Sequence, residues 1–79
     1  MSAFNESDIT ACLEADFPGD TVQVTGDGRH FEALVISSRF AGLRPLQRHR
    51  LVYDALGEHM REDVHALSIK ALTPTEFNN

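Results

Sequence analysis

Four histidines, four closely spaced arginines and a single cysteine are the side chains of this sequence best suited to hold a metal, an anion or an electrophile. Neutral imidazole is a common metal ligand and titrates near neutral pH, so His30, His49, His59 and His65 come first. His65 follows the acidic stretch Arg61-Glu62-Asp63 and opens an alternating run; an imidazole there either points to solvent or serves as a ligand. His30 stands at the foot of Gly26-Asp27-Gly28-Arg29, a turn flexible enough to carry Asp27 or His30 toward another group. His49 lies between Arg48 and Arg50, as a half-buried packing residue or as part of a basic surface. His59, near a helix end, suits an interaction with the last carbonyls.

The arginines form a stripe, because no acidic residue occurs between Glu32 and Asp54 whereas Arg39, Arg44, Arg48 and Arg50 all do. Guanidinium groups make paired hydrogen bonds to carboxylates and phosphates. Arg44, Arg48, His49 and Arg50 therefore fit phosphates, a carboxylate ligand or an acidic partner surface, or else a solvated helix face. Cys12 shares an apolar helix face with Ile9 and Leu13, which favours a structural thiol over a redox one. HExxH, CxxC, P-loop and GxGxxG patterns are absent, and no nucleophile elbow accompanies Ser37 and His49.

These residues need elements to position them. Ile9, Cys12, Leu13 and Phe17 recur at spacings of three and four and predict a helix from Asn5 that Pro18-Gly19 ends. Thr21 to Thr25 alternates apolar with polar, turn residues follow, and Phe31 to Ser37 is rich in strand formers, which together predict a hairpin. The second strand, apolar on both faces for part of its length, should be central and helix-covered on one side. A loop is expected over Ser38 to Arg44. Pro45 then suits a first helical turn, with Val52, Tyr53, Ala55, Leu56 and Met60 in helical register, as one long helix or two with a bend. Val64 to Leu72 alternates and predicts a third strand with His65, Leu67, Ile69 and Ala71 on one face. Thr73, Pro74 and Glu76 have the spacing of a capping box that starts a short terminal helix.

The whole is expected to be one α+β domain over residues 1–79, with 42% hydrophobic and 24% charged side chains. A domain of this size buries only roughly 60% of its unfolded surface, which argues against the deep pocket most enzymes use and hence against catalysis by this chain alone. Seven Lys+Arg against twelve Asp+Glu give a net charge of -5, unlike a wholly basic nucleic-acid module. A lone cysteine excludes an internal disulfide and fits a reducing, cytoplasmic setting. Apolar runs of about five residues fall far short of the ~20 that span a bilayer, so no membrane association is expected.

The segments Ser38-Arg39-Phe40-Ala41-Gly42, Arg48-His49-Arg50-Leu51-Val52-Tyr53, Val64-His65-Ala66-Leu67-Ser68-Ile69 and Thr73-Pro74-Thr75-Glu76 occur in an order that resembles the BolA family. The resemblance runs from the first helix to the tail. It implies an α-β-β-α-α-β fold with a three-stranded mixed sheet, similar to type II KH domains. It also implies a partner, a monothiol glutaredoxin, with which family members share a 2Fe-2S cluster; some bacterial members are DNA-binding transcriptional regulators. His65 matches the family's C-terminal ligand histidine. The loop between the first two strands supplies a Cys or His in relatives; here Asp27 stands where some carry Cys, and His30 is the nearest histidine, as in the bacterial His-type branch.

On this reading a glutaredoxin cysteine and a glutathione thiolate complete one iron, and His65 with one loop residue completes the other. Imidazole in place of thiolate makes the cluster less negative and raises its potential. The arginine stripe would dock the partner's acidic face or its glutathione. The competing reading makes Pro45 to Met60 a helix-turn-helix-like element with Arg44, Arg48 and Arg50 on DNA phosphates. The net charge and the lack of a Gly-x-x-Gly loop between Leu43 and Leu56 count against it. A third reading is an interaction module without metal, and homodimer formation is open in all three.

Overall fold

A computed structural model describes residues 5–26, 30–57 and 66–78. In chain order the elements are α1 (Glu6–Asp16), β1 (Thr21–Gly26), β2 (His30–Ile36), a 3-10 turn (Ser38–Phe40), α2 (Pro45–Leu56), β3 (Ala66–Leu72) and α3 (Pro74–Asn78). The continuation expected after α2, as the same helix or as a second one after a bend, includes His59 and Met60 and falls outside the described residues, as do Val64 and His65. No described helix is long and apolar enough to cross a membrane.

Each helix starts where the local chemistry asks for it. Asn5 Oδ1 accepts from the Asp8 amide at 3.0 Å while Asp8 Oδ2 accepts from the Asn5 amide at 3.0 Å, a reciprocal cap on two amides that would otherwise lack partners. The helix turns Ile9 and Leu13 inward and closes at Phe17, all three essentially buried. Gly19, at φ 80°, makes the turn into β1. Pro45 opens α2, the Arg44 amide donates to Gln47 Oε1 at 2.9 Å, and Gly57 at φ 61° ends the helix. The terminal capping box forms as its spacing predicts: the Thr73 amide donates to Glu76 Oε1 at 2.9 Å, and the Glu76 amide to Thr73 Oγ1 at 3.1 Å.

The sheet runs β1-β2-β3 with β2 central. β1 pairs antiparallel with β2 from Thr21↔Ile36 to Gly26↔Phe31, and β2 pairs parallel with β3 from His30↔Ala66 to Ile36↔Leu72. Phe31, Ala33 and Val35 alternate onto the covered face and join Ile9, Leu13, Phe17, Val52 and Leu56 in one core. Fully burying such a side chain contributes ~1.5–3 kcal/mol. The opposite face carries Gln23, Thr25, Glu32, Leu34, Ser68 and Lys70, in keeping with a sheet covered by helices on one side.

Two local expectations change. Ser37 leaves the strand, and its buried Oγ accepts from the Arg39 amide at 3.1 Å. The segment read as a loop contains the 3-10 turn, which drives Phe40 to full burial against Phe17, ring centroids 5.5 Å apart. One aromatic between Arg39 and Gly42 has no periodicity by which a sequence could announce it.

Candidate functional site

The central strand brings one candidate ligand, His30, to an end of the sheet. His30, exposed, is the first residue of β2 and lies in register with Ala66, the first residue of β3. Gly26, the last residue of β1, pairs with Phe31. A Cβ at Gly26 would sit 2.5 Å from Phe31 Cδ1 and 2.7 Å from the His30 carbonyl oxygen. Glycine is thus required here by close approach of the neighbouring strand rather than by an unusual φ. Asp27 and His65 fall outside the described residues, yet Gly26 and Ala66, to which they are bonded, both stand at this end.

Among the described residues no group of three or more His, Cys, Asp or Glu gathers around one point. The described donor at this end is the His30 imidazole, a ligand type that suits iron, zinc and copper. Cys12 is half-buried against the core. Burial raises its thiol pKa, and the Asp8 and Asp16 carboxylates raise it further, which is opposite to what a reactive or ligating thiolate requires.

The arginine stripe divides in two. Arg48 points into the fold: Nε donates to the Leu43 carbonyl at 3.0 Å, Nη1 to the Ala71 carbonyl at 3.0 Å, and Nη1 and Nη2 to the two Glu76 carboxylate oxygens at 2.7 and 3.1 Å. Its side chain is only 13% exposed and its guanidinium lies 6.0 Å from the Phe40 ring centroid. Arg48, expected from the sequence to meet a partner or a phosphate, has its guanidinium occupied within the fold by a fork–fork pair and two carbonyls. Its hydrogen bonds, followed by the Thr73 amide, lower the Glu76 pKa to about 2. Arg39 is also engaged, donating to the Asp16 carbonyl at 2.6 Å and stacking 4.6 Å over Phe17.

Arg44 and Arg50 remain exposed. On α2, Arg50 shares the outer face with Leu46, 66% exposed, and Tyr53, 38% exposed. His49 is half-buried, its ring edge-on to Tyr53 at 6.5 Å. Sequence reasoning missed Leu46 and Tyr53 as surface residues; Tyr53 in particular reads as core from spacing alone.

The helix-covered mixed sheet, with a histidine at the start of its central strand, defines a class. The chain belongs to the BolA-like protein family, whose model matches residues 4–76. It is 54% identical over 52 residues to BolA-like protein 1 of Mus musculus, an alignment covering 66% of this chain and 38% of that protein. It is 46% identical over 52 residues to the DNA-binding transcriptional regulator BolA of Vibrio cholerae, covering 66% and 49%. The chain thus spans less than half the length of these curated relatives. A solved BolA protein homologue from Coxiella burnetii superposes with a TM-score of 0.84 at 46% identity, over 95% of this chain and 97% of that one.

Proposed function

We propose that this chain is a cytoplasmic, non-enzymatic adaptor that binds a monothiol glutaredoxin and shares a 2Fe-2S cluster with it, in cluster trafficking or iron sensing. The observation that carries the reading is the register His30↔Ala66, which sets His30 beside the residue that follows His65. His65 and one of His30 or Asp27 would hold one iron; the partner's cysteine and its glutathione would hold the other. When bound, the cluster would supply one-electron redox capacity or a transferable iron-sulfur unit, at a potential raised by imidazole ligation. The chain's own part is to present imidazoles from the end of a rigid sheet. The exposed Leu46, Arg50 and Tyr53 have the mix of apolar, aromatic and arginine side chains common at interface centres.

Visible circular dichroism tests this. The chain, a monothiol glutaredoxin, iron, sulfide and glutathione are combined for wild type, His65→Ala and His30→Ala. The expected result is a spectrum distinct from that of the glutaredoxin alone, lost with His65→Ala and altered with His30→Ala if His30 is the second ligand. If every sample gives the glutaredoxin spectrum, the cluster reading falls. The second reading, DNA binding, then takes its place; the name of the Vibrio cholerae relative and the exposure of Arg44 and Arg50 support it.

A further inference from the structure

The two outer edges of the sheet are unlike. On β3 the Leu72 carbonyl accepts from the Ser37 amide at 2.9 Å and so points inward. The preceding carbonyl, that of Ala71, points outward, where Arg48 Nη1 covers it at 3.0 Å, and Lys70 adds a charge to the strand. These are familiar devices for blocking an edge. β1 has none of them. Its sequence, Thr-Val-Gln-Val-Thr-Gly, contains neither charge nor proline, and its pairing with β2 is uninterrupted from Thr21 to Gly26. Among the described residues only β2 pairs with it.

The open face of the sheet borders this edge on one side and a groove beside α1 on the other. On the open face a depression of about 480 Å³ includes Gln23, Thr25, Glu32, Leu34, Ser68 and Lys70 in its lining. On the helix side a groove of about 400 Å³ lies between β1 and α1, lined by Glu6, Ser7, Thr10, Ala11, Glu14 and Val24. A strand added to an edge projects alternate side chains to opposite faces, so the groove beside α1 would receive every second residue. The charge is one-sided: residues 5–26 hold Glu6, Asp8, Glu14, Asp16 and Asp20 and no Lys or Arg. A second copy of the chain at this edge would set two such acidic helices side by side.

We infer that the outer edge of β1 receives an extended segment of a partner protein as a fourth strand, with Lys or Arg at the alternate positions that face Glu6 and Glu14. The main chain supplies the affinity and the acidic groove supplies the selection. The groove between β1 and α1 is lined by residues other than the candidate ligands His30, Asp27 and His65, so the inference does not rest on cluster binding.

The test uses the full chain and a short synthetic peptide alternating lysine with valine, with a glutamate-valine peptide as control. Binding is followed by amide shifts and by hydrogen exchange. The lysine peptide should protect alternate amides within Thr21–Gly26, and the glutamate peptide should not. The double reversal Glu6→Lys/Glu14→Lys, at exposed positions outside the core, should weaken the lysine peptide by about tenfold or more at low salt. Three results would each overturn the inference: β1 exchange unchanged at saturating peptide, binding indifferent to the reversal, or concentration-dependent protection of β1 without peptide, which would assign the edge to a second copy.

Discussion

The end of the sheet where β2 and β3 finish is closed by Ser37, Arg48, Thr73 and Glu76, whereas the end where they begin places His30 at the surface. At the closed end the Leu72 and Ala71 carbonyls, the Arg39 and Thr73 amides and both Glu76 oxygens have partners within the fold. One guanidinium ties α2, β3 and α3 together there. At the other end Gly26 lets the strands approach closely, and the polar side chain they lead to is an exposed imidazole. At the first end the residue types that suggest chemistry serve structure; at the second one of them, His30, is exposed. What separates the two ends is burial: the Arg48 side chain is largely enclosed by the fold, whereas His30 lies at the surface.

Substitutions that sharpen this contrast differ in size. The largest effect belongs to Phe40→Ala beneath the closed end. Removing a fully buried ring packed on Phe17 and beneath Arg48 should cost about 3–5 kcal/mol, read from chemical denaturation; a loss below about 1 kcal/mol would mean the 3-10 turn is not part of the core. Next comes Gly26→Ala at the open end. The new Cβ meets the His30 carbonyl, a backbone atom with little freedom to yield, so a cost of about 1–3 kcal/mol and faster amide exchange at the start of β2 are expected. An unaffected variant would show that β1 and β2 can separate there without penalty.

The smallest effect, and the most specific, is acid sensitivity. The Glu76 carboxyl has a folded-state pKa of about 2 against an ordinary value of 4.5. Because the folded value is depressed, the stability this group contributes is fully present above pH 4.5 and is lost as pH falls toward 2. Thermal midpoints should therefore decline less between those limits for Glu76→Gln than for the parent chain. Parallel curves would remove the Arg48 pair from the account of the closed end.

Much of this arrangement is legible in the sequence. Ile9, Leu13 and Phe17 mark the buried face of α1 by their spacing, the alternation in Thr21–Thr25 and Leu67–Ala71 marks strands, and Thr73 with Glu76 marks a helix start. All of these are local signals, and the structure bears them out. Arg48 and Arg50 were not distinguishable, since both are arginines on one helix and only the distant Ala71 carbonyl and Glu76 carboxylate draw the first inward. Phe40 was unreadable for the same reason, its burial being decided by Phe17 more than twenty residues away. Register is also nonlocal: spacing puts His65 in a strand and leaves His30 at the foot of the turn before one, while only the pairing His30↔Ala66 sets the starts of β2 and β3 side by side.

The central claim is that an imidazole of this chain ligates iron in a shared cluster. Pulsed electron paramagnetic resonance of the reduced complex tests it most directly, with this chain labelled with nitrogen-15 at histidine and the glutaredoxin left unlabelled. The account predicts a strong nitrogen-15 hyperfine coupling that His65→Ala abolishes. A reduced cluster that shows no such coupling in the complex with the parent chain would contradict it.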